Sequence, residues 1–468
     1  MLELSKIKKV YVIGIKGSGV IALAQVLQSM GIEITGSDTH EKFFTDEVLQ
    51  KLGIKYIEGF SVDNIPTDVD LILYSSSYNE GNNVELAEVK KRNFPIVSYP
   101  EMVAQLFNQK YGIAVCGTHG KTTTSAMLAY VMQQVGTSPT AVIGSRVRQW
   151  GSNALIGKGE TFVIEADEFQ NKLALYEPNA AILTSVDYDH PDFYPTFANY
   201  KKAFEDFVMK IPKIGFLAVW GDSVATNEVV CGAQCEIIKY GFQEDNDVVV
   251  KKYKSQDTNS KQIPNNNIQN FNVVYSNKDL GEFGVQLVGD HNILNAASVI
   301  IVCHKLNLDM EKVREALQNF EGTSRRFEIV GQRNGAILID DYGHHPEEIK
   351  VTLKGAREKY PDKNLIAVFH PHSYSRTEAL LQDFAQSFDS ADKVIVLDIY
   401  GSARENTGKV TSLDLVNLIN KYNRDKAEHI PTIDECVESL QDKIGDQDVV
   451  LTIGAGNVFE VVNKLKEI

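Results

Sequence analysis

An α/β chain of three domains is predicted, and three observations predict it. Apolar runs of strand length alternate with stretches of helical apolar spacing along the chain. Two of the strand-to-helix passages, at residues 14–19 and 117–121, are glycine-rich turns. Strands in the last third end in polar and glycine residues, as at the carboxyl edge of a doubly wound sheet. A length of 468 residues has room for about three domains. The expected divisions are 1–108, 109–322 and 323–468.

Bulk properties narrow the function classes. Hydrophobic residues make up 43% and charged residues 23%, an ordinary soluble globular composition. A net charge of −15 argues against a nucleic-acid groove, which needs a basic stripe. Glycine turns and a few local cations can still hold phosphate on an acidic protein. The five cysteines, Cys116, Cys231, Cys235, Cys303 and Cys436, are odd in number and scattered. Cys231 and Cys235 lack the second pair that a metal site needs. With a charged rather than apolar start, this usage leads to the expectation of a cytoplasmic protein. No apolar run has bilayer-spanning length, so no membrane insertion is expected.

In the first domain, residues 10–15 read as a buried strand and 18–30 as the helix after it. Gly14, Gly17, Ser18 and Gly19 form the turn between them. A second strand, 32–35, leads to Asp38. A βαβ unit with glycines at its first turn and an acid after its second strand is a Rossmann-like nucleotide frame. The pattern serves a nicotinamide cofactor or the pyrophosphate of a UDP-sugar equally. A further strand, 71–75, ends in Ser75 and is followed by Ser76 and Ser77, where open sheets bind ligands.

In the central domain, residues 113–116 form a strand and 122–130 a helix. Gly117, Thr118, His119, Gly120 and Lys121 turn between them, followed by Thr122 and Thr123. Glycines let backbone N–H groups approach an anion, and the helix N-terminus adds positive partial charge. This is a P-loop-like ATP cradle. Lys121 would reach the terminal phosphates and the Thr122 hydroxyl a Mg²⁺ ion. The pattern departs from the strict Walker spelling at Val115, where a glycine is usual. The strand 161–164 runs into Glu165-Ala166-Asp167-Glu168, and 180–185 into Asp187-Tyr188-Asp189-His190. An acid and a histidine at strand ends beside a phosphate cradle are candidate Mg²⁺ ligands. The polar stretch 243–279 reads as short antiparallel strands with mobile loops and no chemistry. His291 and Asn292 open the apolar helix 294–306.

The third domain begins at Arg325 and Arg326, beside a domain joint, where guanidinium groups could reach phosphates. Strands 336–339, 365–369, 394–397 and 449–453 give a second Rossmann-like sheet. Asp341, Tyr342, His344 and His345 follow the first of them, and His370, His372 and Arg376 the next. Zinc is the rival reading of these histidines, but their spacing is not the i,i+4 helix spacing of zinc proteases.

Gly-Thr-His-Gly-Lys-Thr-Thr, Glu-Ala-Asp-Glu, Asp-His, Asp-Asp-Tyr-Gly-His-His-Pro and Pro-His-x-Tyr-x-Arg-Thr occur in this order. The set resembles the Mur ligases, ATP-dependent amide-forming enzymes of peptidoglycan precursor synthesis. The last two strings are most similar to the branch that adds L-alanine to UDP-N-acetylmuramate. The resemblance implies a UDP-sugar site at Gly14, Gly17, Ser18, Gly19, Asp38, Ser75 and Ser76. It implies ATP at the 117–123 cradle, with His291, Asn292, Arg325 and Asp341. Mg²⁺ would sit on Thr122, Glu165 and His190. The incoming amino acid would meet Tyr342, His344, His345, His372 and Arg376, with Arg376 on its carboxylate. Lys121, Glu165, His190, Arg326 and His344 would carry the chemistry, in a monomer or homodimer. Phe169-Gln170-Asn171-Lys172, Tyr188, Pro191 and Ser373 depart from the spelling of that branch. Two alternatives stand: a ligase that attaches a recycled tripeptide, and a nicotinamide-dependent oxidoreductase.

Overall fold

The computed structural model describes residues 3–41, 43–191, 193–253, 268–401 and 408–468. Three sheets follow one another along the chain. The first has five parallel strands, in the order Lys55–Glu58, Glu33–Asp38, Lys9–Ile13, Leu71–Tyr74, Ile96–Ser98. Strand order reverses between Lys9–Ile13 and Leu71–Tyr74. A crevice opens at such a switch point, and the glycine turn at Gly14 and the Ser75–Ser77 loop both lie there.

The second sheet has ten strands. Tyr111–Cys116 is central, between Thr161–Glu165 and Ala180–Leu183, all parallel. Central parallel strands are covered on both faces, which is why Ile113 to Cys116 read as a continuous apolar run. The helix Lys121–Gln134 is buried from Thr122 to Met132 and packs on Asp290–Lys305. The polar stretch supplies Val248–Lys252, Gln269–Tyr275 and Lys278–Val285, the last two pairings antiparallel as expected. The loop expected to be mobile, 254–267, lies outside the described residues. The third sheet has six strands, and only Glu328–Arg333 runs antiparallel to its neighbour.

Packing joins the first two sheets more closely than chain order suggests. The helix Ser18–Ser29 follows the first glycine turn and also packs on Thr140–Val147 and Ser152–Leu155 of the second sheet. One apolar cluster therefore runs from Val10 and Val20 through Val142 and Ala154 to Val219. The third sheet keeps its own two clusters, one on each face.

Candidate active site

The cradle follows from local backbone requirements. Gly117 has φ +131°, and a Cβ there would lie 2.3 Å from Thr184 Oγ1. Gly120 caps the helix at φ +81°, and no side chain caps the first turn. An uncapped helix start framed by glycines suits an anion. Lys121 is the first helical residue. Its Nζ donates to the carbonyls of Gly117 and Thr118, at 2.6 and 3.0 Å. It also pairs with Glu168 Oε2 at 2.9 Å. Burial opposes the Lys121 charge, but Glu168, Asp167 and Glu165 raise its pKa overall. The lysine therefore stays protonated where phosphates would enter.

Carboxylates gather at the ends of the two flanking strands. Thr122 Oγ1 donates to Glu165 Oε1 at 2.7 Å, and Gly144 N donates to Glu165 Oε2 at 2.6 Å. Ligand atoms of Asp167, Glu168 and His190 lie within 4.8 Å of one another. Lys172 pairs with Asp167 at 2.6 Å. Hard oxygen donors beside a phosphate cradle fit a divalent cation such as Mg²⁺. The Thr122–Glu165 pair and the Asp167–Glu168–His190 group are two places that could hold one.

A cavity of about 840 Å³ opens beside the cradle, between the central and C-terminal sheets. His119, Thr123, His291, Asn292 and Asn295 line it from one side, with the aromatic rings of Trp220, Tyr240 and Phe242. Arg326, Asp341 and Glu348 line it from the other. A mixed aromatic and polar wall of this size accommodates a nucleotide. Arg326 lies 3.6 Å from Glu348, which also holds His119 at 3.3 Å. Burial raises Asp341 to about 6 against the pull of Arg326 and two backbone N–H donors. Burial lowers His291 to about 4, so it is neutral near pH 7.

The third-domain histidines form a second group. Burial, then Arg376, push His344 down to about 3. His345 caps the helix Pro346–Lys359, and its ring lies 4.8 Å from that of His119. His372 stacks on Tyr400 at 5.6 Å. Arg376 reaches across to the central domain and pairs with Asp189 at 3.1 Å, both residues being buried.

A smaller cavity of about 550 Å³ lies over the first domain. Tyr74, Ser76, Tyr78 and Ser98 line it, and Phe169 and Phe193 close it from the central domain.

Similarity to known proteins bears on this arrangement. Family models match residues 9–111 as the Mur ligase family catalytic domain, 115–303 as the Mur ligase middle domain, and 325–456 as the Mur ligase glutamate ligase domain. A UDP-N-acetylmuramate–L-alanine ligase of Desulfitobacterium hafniense is 40% identical, over 97% of this chain and 99% of the relative. The chain belongs to the Mur ligase family. A ligase of the same description from Caldanaerobacter subterraneus is 37% identical, over 100% and 99% of the two chains. Among solved structures, a UDP-N-acetylmuramate-alanine ligase from Thermotoga maritima superposes with a TM-score of 0.80. It is 25% identical, with 98% of each chain covered. A murein peptide ligase from Psychrobacter arcticus shares the fold, with a TM-score of 0.74 and 22% identity over 98% and 99% of the chains.

Within this Mur ligase, several predicted residues have protein partners of their own. Ser18, expected on the UDP-sugar, donates to the Gly144 carbonyl at 2.6 Å across the domain interface. Asp38, expected on a ribose, is buried and accepts from Lys16 N at 2.6 Å and Thr39 N at 2.7 Å. Gly14 and Gly19 make room for side chains. A Cβ on Gly14 would lie 2.7 Å from the Tyr78 ring, and one on Gly19 2.5 Å from Tyr99. Gly17 has Ser75 Oγ 3.7 Å from its Cβ direction. Arg325, expected on ATP, pairs with Asp340 at 2.9 Å and donates to the Gly454 carbonyl at 2.7 Å. Its neighbour Arg326 is the one facing the large cavity. His344, expected among the reacting groups, is too weakly basic to carry charge at neutral pH. Arg376, expected on a substrate carboxylate, already holds a protein carboxylate. Tyr342 is part-exposed, with Arg325 and Arg326 over its ring at 5.1 and 5.3 Å.

Sequence reasoning missed Glu348, Asn295 and the Arg376 partner Asp189. Glu348 lies in the first turn of an amphipathic helix, where its local pattern marks only a capping box with His345. Asp189 lies inside a string already quoted, but its partner is 187 residues away.

Proposed function

We propose that this protein joins L-alanine to the lactyl carboxylate of UDP-N-acetylmuramate, with conversion of ATP to ADP and phosphate, in peptidoglycan precursor synthesis. Its relatives carry that description over their whole lengths. The observation that carries the reading is the convergence of the central and third sheets on one cleft. The Lys121 cradle, the Glu165–His190 carboxylate edge and the His344–Arg376 cluster meet there, with Asp189 paired to Arg376 across the domain boundary.

The division of labour follows the domains 1–108, 109–322 and 323–468. The first would hold the UDP-sugar, with its pyrophosphate at the Gly14–Gly19 turn and the rest in the smaller cavity at Ser76. The central one would hold ATP, with phosphates on residues 117–123 and the base near His291 and Asn292. The third would hold the amino acid between Tyr342, His345, His372 and Arg376. The substrate carboxylate attacks the γ-phosphorus, the bond to ADP breaks, and an acyl-phosphate forms. The alanine amine then attacks the acyl carbon, and phosphate leaves. Lys121 and Arg326 place positive charge where phosphoryl oxygens gain negative charge. Mg²⁺ at Glu165 and at His190, when bound, would add charge neutralisation to the same oxygens. Neutral His344 can accept a hydrogen bond from the attacking amine and orient it. Closure of the third domain would keep water from the acyl-phosphate. We assign the protein to the cytoplasm, as a monomer or homodimer. No described helix is long and apolar enough to cross a membrane.

Phosphate release from ATP and Mg²⁺ is the test, with UDP-N-acetylmuramate and a panel of single amino acids. Release that needs both UDP-N-acetylmuramate and L-alanine supports the reading. Release only with a tripeptide would replace it with the recycling reaction.

A further inference from the structure

We infer that Ser18 is a single-donor switch that couples the UDP-sugar turn of the first domain to Glu165 beside the ATP cradle. The inference rests on the functional reading above, and on a continuous line of bonds. Thr122 Oγ1, in the cradle, donates to one oxygen of Glu165 at 2.7 Å. Gly144 N donates to the other at 2.6 Å. The carbonyl of the same Gly144 accepts from Ser18 Oγ at 2.6 Å. Ser18 is the first residue of the helix behind the Gly14–Gly19 turn. One glycine residue thus grips Glu165 with its N–H and the UDP-sugar turn with its carbonyl.

The line is held on both sides. Asn153 is fully buried, and its Nδ2 donates to the Ser18 carbonyl at 2.6 Å and to Ser18 Oγ at 3.2 Å. Gln25, about two turns along the same helical face, accepts from Ser152 at 2.7 Å. No side chain fits at Gly144, where a Cβ would lie 2.6 Å from Glu165 Oε2. The next residues of the strand reach the joint of the third domain. Ser145 Oγ donates to the Ser324 carbonyl at 3.0 Å, and Arg146 Nε to Ser324 Oγ at 3.1 Å.

A serine hydroxyl has one proton to donate. It serves the Gly144 carbonyl or a phosphate oxygen at the turn, not both. When a pyrophosphate recruits Ser18, the Gly144 carbonyl loses its anchor, the glycine turns more freely about its φ and ψ, and its N–H, on the preceding peptide, loosens from Glu165. The carboxylate is then freer to serve a cation at the cradle. Sugar-nucleotide binding therefore tightens Mg²⁺-nucleotide binding, and by linkage the reverse holds equally. Ser18 is a positioning residue here, acting on Glu165 through Gly144.

Calorimetry on the full chain tests this. A non-hydrolysable ATP analogue with Mg²⁺ is titrated with and without saturating UDP-N-acetylmuramate. The wild type should bind the analogue at least about five-fold more tightly with the sugar nucleotide present. Ser18→Ala should bring that ratio close to one, and Ser18→Thr, which restores a hydroxyl, should return it. The switch also requires that Ser18→Ala, with the Gly144 carbonyl already released, bind the analogue without the sugar nucleotide about as tightly as the wild type does with it, whereas a purely structural loss would weaken binding in both states. An unchanged ratio in Ser18→Ala, or a wild-type ratio of one, would overturn the switch and leave the functional reading standing. Failure of the wild type to bind UDP-N-acetylmuramate at all would overturn both.

Discussion

Replacing Arg376 with Met should destabilise the protein strongly at pH 7 and much less at pH 5. The substitution keeps most of the stem but strips the positive charge from Asp189, which is 5% exposed. In the wild type, burial pushes the Asp189 pKa up, but Arg376, then His190, His344 and His345, outweigh it and hold it far below the ordinary range. The pair's contribution is therefore full above the unfolded value of about 3.9, and lost only as pH falls through the lower native one. It is constant between pH 5 and 7. In Arg376→Met the unpaired carboxylate must take a proton or remain charged in a dry site. Protonation against a reference of about 3.9 costs about 4 kcal/mol at pH 7 and about 1.5 kcal/mol at pH 5. Breaking a buried pair by removing one partner costs about 3–5 kcal/mol, which agrees with the first figure. These are ceilings. His344, suppressed by burial and then by Arg376, gains proton affinity in the variant and offsets part of the charge. Urea unfolding followed by circular dichroism at pH 5, 6 and 7 reads the difference. Asp189→Asn in the same chain should recover most of the loss. A loss below about 1 kcal/mol at pH 7, or one equal at pH 5 and pH 7, would refute the reasoning.

Lys121→Ala should lower turnover by about a thousand-fold or more, because the cradle loses the cation that it aims at the phosphates; retained phosphate release would remove Lys121 from the mechanism. Asp341, raised to about 6 by burial, favours its protonated form on folding, so the wild type should gain stability relative to Asp341→Asn as pH falls from 7 towards 4, a trend that parallel melting curves would show. Gly19→Ala should cost about 1–3 kcal/mol, since the new Cβ meets the Tyr99 ring at 2.5 Å; an unshifted melting temperature would mean that Tyr99 moves aside freely. Chelation should stop phosphate release and Mg²⁺ restore it, and Glu165→Ala should raise the Mg²⁺ concentration needed for half-maximal activity.

Much of the cradle was legible because its chemistry is local. A strand, a glycine turn and a helix start are contiguous, so residues 117–123 carry both the proposed anion site and the backbone conformations that it requires. The same holds for Glu165 and His190, each placed at a strand end by the apolar run before it. Residues whose meaning depends on a partner were less legible. Arg325 and Arg326 are adjacent and chemically identical, yet only Arg326 lines the large cavity. Arg325 has φ +61° and turns back to Asp340. Periodicity carries no information about which of two neighbours a backbone twist directs inward.

By itself the sequence determined the three α/β domains, the family and the glycine turn of the proposed phosphate cradle, because hydrophobic periodicity and contiguous turn chemistry are written residue by residue. Tertiary structure alone decided that Ser18 bonds Gly144, that Asp189 neutralises Arg376, and that Glu348 joins His119 to Arg326. The Ser18–Gly144, Asp189–Arg376 and His119–Glu348 pairs join residues more than a hundred positions apart and in different domains, and Arg326 meets Glu348 from a separate element of the same domain. Their distances are set by how whole sheets pack on one another, which no local pattern in the chain encodes.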